Sequence, residues 1–120
     1  MALAFQGSGV ANVDTASVEI KLQDDGYYTL YTGSTDMGTG ANTILMQMAC
    51  EVLGCPIDHM TCYEADTDVV PFDPGSYASS TTYVTGTAAK LAAEDLRAKL
   101  LKTFLLCIWK WPKKILILTA

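Results

Sequence analysis

YYTLYTGSTDMGTGANTILMQMACEVLG, residues 27–54, joins three patterns in succession. Its first six residues are rich in Tyr and Thr around Leu30, the composition of a half-buried strand. The glycine-rich middle, 33–42, has no apolar period and reads as a loop. From Leu45 the apolar residues recur at i, i+3, i+4, i+7 and i+8 through Met48, Ala49, Val52 and Leu53, which is the face of an amphipathic helix. Gly54 and Pro56 then end it. A strand, a glycine-rich loop and a helix therefore form the centre of the fold.

Upstream, residues 15–23 alternate, with Ala16, Val18, Ile20 and Leu22 on one face. Asp24, Asp25 and Gly26 supply turn residues that tolerate positive φ, so 15–32 is a hairpin. Downstream, MTCYEA (60–65) alternates again as a third strand, and DTDVVPFDPGSYASS (66–80) is a long loop. Helical spacing returns from Thr81 to about Leu101 through Val84, Ala88, Leu91, Ala92, Leu96 and Leu100, despite Gly86. The order β-β-α-β-α predicts an α+β unit with a mixed or antiparallel sheet and two helices on one face.

At 120 residues, half of them apolar, the chain suits one domain with one core. Eight basic against thirteen acidic residues give a net charge of −5. That balance argues against nucleic acid, because a phosphate-binding face needs clustered Lys and Arg. Cys50, Cys55, Cys62 and Cys107 show no CxxC spacing, and His59 is the one histidine, so a zinc set is poorly supplied and reduced, packed thiols are expected. The N-terminal stretch lacks the pattern of a signal peptide, and no apolar run approaches the ~20 residues of a membrane span. A cytoplasmic protein is the expectation.

Residues 102–120, KTFLLCIWKWPKKILILTA, change character: acidic residues vanish, and both tryptophans appear. Reading the codons of 107–120 in a shifted frame permits HLEMAEEDLDLDG, an acidic and helix-forming continuation of the preceding helix. The expectation is a division into residues 1–101 and a frame-shifted or non-native tail, the alternative being a true apolar strand at the C-terminus.

Two loops carry the chemistry. Gly38, Thr39 and Gly40 precede a helix, so free backbone N–H groups there would face an anion such as phosphate, with Asn42 or Thr43 as cap. The second loop, from Asp73 to Thr82, also runs into a helix N-terminus, and its hydroxyls and small side chains could hold an anion or a polar ring. A serine triad would need His59, which lies just before a strand, and no catalytic constellation is complete. Asp66 and Asp68 are expected as turn formers, and Met37, Met46, Met48 and Met60 as core.

Read in order, TGSTDMGTGANTILMQMACEVLG, the D-T-x-x-x-P stretch from Asp66 to Pro71, and GSYASSTTYVTGTAAKLA resemble the xanthine dehydrogenase and aldehyde oxidase family of molybdenum hydroxylases. The resemblance covers roughly residues 7–101. It implies a truncated piece of the large, molybdopterin-binding subunit, whose family oxidises purines, N-heterocycles or aldehydes with a water-derived oxygen. It also implies cofactor contacts from Gly38, Thr39 and Gly40 and from Ala78, Ser79, Ser80 and Thr81, with no catalytic or metal-ligating residue. Many relatives carry Gln where this chain has Thr39, and Arg where it has Ser80. The family's general-base Glu, the remainder of the large subunit and the iron–sulfur and FAD partner subunits lie outside this sequence. The isolated chain is therefore expected to be inactive, to bind the cofactor weakly or not at all, and to self-associate.

Two rivals stand beside this reading. One is a small dinucleotide-binding domain, with Gly38 and Gly40 in the turn and Glu64 or Asp66 on the ribose, disfavoured because residues 27–32 return from a hairpin and are half polar. The other is a non-catalytic, self-associating α+β module.

Overall fold

The computed structural model describes residues 1–5, 7, 9 and 14–110, the last two by backbone alone. Its elements are β1 (Val18–Leu22), β2 (Tyr28–Thr32), α1 (Ala41–Leu53), β3 (Met60–Glu64) and α2 (Thr81–Lys110). A single 3-10 turn, Ile57–His59, leads into β3. The expected order β-β-α-β-α is what the chain adopts.

The three strands form one mixed sheet in the order β1-β2-β3. β1 and β2 are antiparallel, Val18 opposite Thr32 and Leu22 opposite Tyr28. Gly26 closes their turn at φ 87°, and Asp25 Oδ1 accepts the Tyr27 N–H at 3.0 Å. β2 and β3 are parallel, Tyr28 beside Met60 and Thr32 beside Glu64, so α1 is the crossover between them. The return strand of the hairpin is thus also the first strand of a β-α-β unit.

Along β2 the alternation sends Leu30 toward the helices, where it is fully buried, and Tyr31 to the opposite face. Leu30, Leu45, Ala49, Cys50, Met60, Ala89 and Ala93 form the core, with Val18, Ile20 and Cys62 packed against it. Burial of a leucine such as Leu30 or Leu45 contributes about 1.5–3 kcal/mol. α1 also packs against β3, and α2 against β1.

The buried face of α2 differs from the expected one. Leu91 is 58% exposed, and Thr85, Gly86, Ala89 and Ala93 are buried instead. A Cβ built on Gly86 would lie 2.7 Å from Met48 Sδ, so these small residues let α1 and α2 approach closely. The large aliphatics are displaced from the contact by that approach. α1 ends as expected at Gly54, which is left-handed and returns its N–H to the Cys50 carbonyl at 2.8 Å.

α2 also runs nine residues beyond Leu101, because no glycine or proline interrupts 102–110. Leu101, Phe104, Leu105 and Ile108 are exposed on it, and so is Cys107, against the expectation of packed thiols. The tail at 111–120, with Trp111 and the aliphatics of 115–118, lies outside the described residues. No helix among the described residues is long and apolar enough to cross a membrane.

Candidate functional site

Asp36 organises the first loop. Its Oδ1 accepts the backbone N–H groups of Gly38 (2.9 Å), Thr39 (2.8 Å) and Gly40 (3.1 Å), and its Oδ2 accepts that of Asn42 at 3.4 Å. The Thr39 hydroxyl donates to Oδ1 as well, at 3.3 Å. Asp36 is itself tied to the sheet, since its N–H donates to Glu64 Oε2 at 2.9 Å, at the end of β3. Partial burial pushes the Asp36 carboxyl up, but the N–H groups of Gly38, Gly40, Asn42 and Thr39 together outweigh it and hold its pKa below the ordinary value.

This corrects the expectation of free N–H groups at residues 38–43. A carboxylate of the chain already stands where a phosphate was expected, at the positive end of α1. Neither Asn42 nor Thr43 is the cap: Gly40 takes that place in a left-handed conformation, φ 75°, without a side-chain cap bond of its own. Gly38 is also left-handed, φ 92°, and a Cβ on either glycine would meet nothing within 4 Å. Glycine there answers the backbone conformation and leaves the outer side of the loop open.

The second loop is fastened beside the first at two points. A Cβ on Gly33 would clash with the Pro71 carbonyl and stand 2.9 Å from the Asp73 backbone nitrogen, so the end of β2 and the 71–73 segment touch backbone to backbone. The Ser76 hydroxyl donates to the Thr35 carbonyl at 2.9 Å.

The loop then makes a tight turn. Ala78 and Ser79 both have positive φ, 51° and 52°, and the Ser80 N–H donates to the Tyr77 carbonyl at 3.2 Å. This has the character of a type I′ turn, built here without glycine or asparagine. Each left-handed residue costs about 1–2 kcal/mol. The Gly9 N–H bonds the Ala78 carbonyl at 2.8 Å and helps to hold the strained turn. Ser80 is buried, with its hydroxyl on the Tyr77 carbonyl at 2.9 Å. The Tyr77 phenol bonds the Asp14 carboxylate, which pushes its pKa up, helped by burial and by the charges of Asp14 and Asp73.

Between the two loops lies a cavity of about 460 Å³. Met37, Thr39 and Ala41 line it from the first loop and the start of α1. Ser76, Tyr77, Ala78 and Ser79 line it from the second, with Thr81 and Thr82 from the first turn of α2. Of the residues singled out in the sequence, Thr39, Ala78, Ser79 and Thr81 meet here. Gly38, Gly40 and Ser80, their neighbours in sequence, are not part of its lining. Met37, expected in the core, is 68% exposed at the cavity. Ser76, Tyr77 and Thr82, members of the same expected loop of residues 73–82, line the cavity as well.

The two helix N-termini differ in what they offer. Ahead of α1, Asp36 takes the N–H groups of residues 38–40, and within its first turn that of Asn42. At α2 the first helical bond runs from the Val84 N–H to the Ser80 carbonyl at 2.7 Å, and no partner within the described residues takes the N–H groups of Thr81, Thr82 or Tyr83. Donors that no described residue takes therefore lie beside the Thr81 and Thr82 side chains that line the cavity. A larger hollow of about 550 Å³ lies on the outer face of the sheet, where Tyr31 and Tyr63 stack at 5.8 Å, and no helix terminus is among its lining.

The lining consists of hydroxyls, one thioether and small apolar groups, a set that binds and orients. Its volume lies within the roughly 300–1,000 Å³ of small-molecule sites. Hydroxyls suit the polar edge of a pterin, and free N–H groups at a helix start suit a phosphate, so these residues fit a phosphorylated pterin. Among the described residues no group of three His, Cys, Asp or Glu is placed to hold a metal. Asp66 is a turn former, its Oδ1 accepting the Asp68 N–H at 3.0 Å.

Comparison with known proteins gives consistent matches. Residues 1–111 match the family model described as molybdopterin cofactor-binding domain. The chain is 45% identical over 101 residues to the probable hypoxanthine oxidase XdhD of Escherichia coli K12, covering 84% of this chain and 11% of that protein. It is 37% identical over 90 residues to the putative xanthine dehydrogenase molybdenum-binding subunit XdhA of the same organism, 74% of this chain and 12% of that one. Among solved structures, reconstituted CO dehydrogenase from Oligotropha carboxidovorans superposes with a TM-score of 0.69 at 31% identity, over 72% of this chain and 11% of that one. The chain thus spans about a tenth of the length of the relatives it matches.

Proposed function

Because this chain belongs to the molybdopterin cofactor-binding domain family, we propose that the cavity between its two loops is where it contacts the pterin cofactor of a xanthine dehydrogenase-like molybdenum hydroxylase. The observation that carries this reading is the convergence of Thr39 with Ala78, Ser79 and Thr81 on one cavity, although about forty residues separate the two loops in sequence. When bound, the cofactor's molybdenum supplies the oxidative insertion of a water-derived oxygen into the substrate.

The chain's own residues bind and orient. The Thr39 and Ser79 hydroxyls offer hydrogen bonds to the ring edge, and Ala78 lets the ring approach the backbone of the strained turn. The Thr81 and Thr82 N–H groups, at the positive end of α2, take the phosphate. Gly38, Gly40 and Ser80 act through the backbone they hold in place. The dinucleotide reading gains from the parallel pairing of β2 and β3, but Asp36 fills the site its pyrophosphate would need, and Glu64 is engaged with Asp36.

The rest of a large subunit, with partner subunits carrying iron–sulfur clusters and flavin, would complete the enzyme. The description of one relative as a molybdenum-binding subunit supports this. Residues 1–101 form the cofactor-binding unit and 102–120 a frame-shifted or non-native tail, a division that the encoding DNA read in all three frames tests directly. Leu101, Phe104, Leu105 and Ile108, exposed at i, i+3, i+4 and i+7, are the surface through which the isolated chain self-associates. The four cysteines are free, which suits a cytoplasmic, reducing setting.

The test is a titration of the chain with cofactor released from an intact molybdenum hydroxylase, followed by pterin fluorescence. Weak binding that disappears in Ala78→Trp, which fills the cavity, supports the assignment. Binding that survives Ala78→Trp in a folded chain contradicts it.

A further inference from the structure

The two loops line one cavity, yet they treat an anion in opposite ways. Four backbone N–H groups at the start of α1 converge on one carboxylate, Asp36, at 2.8–3.4 Å. Such charge-assisted bonds are roughly twice as strong as neutral ones. The carboxylate comes from within the loop, so it is present at an effective concentration that a free ligand cannot match. A phosphate arriving at residues 38–42 would have to displace it and would meet its charge.

We propose that Asp36 is the positioning residue of the cavity: its carboxylate is a built-in anion that fixes the 38–42 loop, holds Thr39 at the cavity wall and excludes a ligand phosphate from α1. Two further contacts support this role. Glu64 Oε2 anchors the Asp36 N–H to the end of β3, which aims the carboxylate at the loop. The Thr39 hydroxyl leans on Oδ1 at 3.3 Å, so the side chain that lines the cavity is oriented by the same group. Gly38 and Gly40, both left-handed, give the loop the curvature that points successive N–H groups inward.

The relevance of this to the cofactor rests on the cavity assignment above, but its test does not use the cofactor. Amide NMR of the full chain is recorded with added inorganic phosphate, for the wild type and for Asp36→Ala. In the wild type the Gly38, Thr39, Gly40 and Asn42 amide signals are expected to stay in place. In Asp36→Ala they are expected to lose their low-field positions and to regain them when acetate or phosphate is added, a rescue that a merely structural role would not give. If Asp36→Ala does not fold, Asp36→Asn serves, with the same four signals expected to shift while those of Leu30 and Leu45 do not. Wild-type signals that move with phosphate would overturn the proposal. So would variant signals at wild-type positions, or a folded Asp36→Ala chain that no anion rescues. A misplaced cofactor site would leave all of these results unchanged.

Discussion

Gly33 and Asp73 are packed so closely that a Cβ on the glycine would stand 2.9 Å from the aspartate's backbone nitrogen. This contact fastens the 71–73 segment to the end of β2 and so brings the serine-rich turn beside the first glycine loop. Neither loop alone makes the cavity.

Gly33→Ala is therefore expected to destabilise the chain by about 2–3 kcal/mol, since backbone must move on one side or the other. Urea unfolding measures it. A change within about 0.5 kcal/mol, the range of ordinary surface substitutions, would show that the close approach is not held in solution.

At Gly86 the balance is different, because the atoms in the way, Met48 Sδ and Cε, end a flexible side chain. Gly86→Ala gains about 1 kcal/mol of helix propensity and loses a similar amount to the displaced methionine, so it is expected to be close to neutral. In a Met48→Ala background the obstruction is gone, and the same change is expected to stabilise by about 1 kcal/mol relative to Met48→Ala alone. Equal effects in the two backgrounds would mean that the residues are not in contact.

Asp36 gives a pH dependence of definite sign. Its carboxyl is held below its ordinary 3.8, so the folded state favours the charged form. The resulting stability is fully present above the unfolded value and is lost as pH falls through the lower, folded one. The stability difference between wild type and Asp36→Asn is thus expected to be constant near neutral pH and to shrink as pH drops below about 4. Parallel unfolding curves across that range test it, and a difference that grows on acidification would contradict it. At the alkaline end the sign is opposite: burial, then Glu64, pushes the Cys62 thiol up to about 11, so its contribution is present below 9.0 and fades as pH rises.

The strands, the hairpin turn and the C-terminal end of α1 were legible because each rests on a local rule: alternation in 18–22, a turn at Asp25 and Gly26, a left-handed stop at Gly54. The parallel pairing of β2 with β3 was not, since nothing within residues 28–32 tells a strand which edge it will share. The buried face of α2 was misread because helical period favours large aliphatics, whereas close helix contact selected Gly86, Ala89 and Ala93. At the site both loops were found, but Asp36 was overlooked. Its signal was present in Asp36-Met37-Gly38, since an aspartate commonly accepts the N–H two residues on. That Ser76 would reach Thr35, forty-one residues back, had no local signature.

The central claim is that one cavity, shared by the two loops, receives the cofactor. Amide NMR of the chain titrated with molybdenum cofactor released from an intact hydroxylase tests it residue by residue, and weak binding suffices because the shifts report contact. The account expects progressive shifts at Thr39, Ser76, Ala78, Ser79, Thr81 and Thr82, with Gly38 and Gly40 following and the outer sheet face around Tyr31 and Tyr63 unmoved. Shifts confined to that outer face, with the cavity residues unmoved, would contradict it.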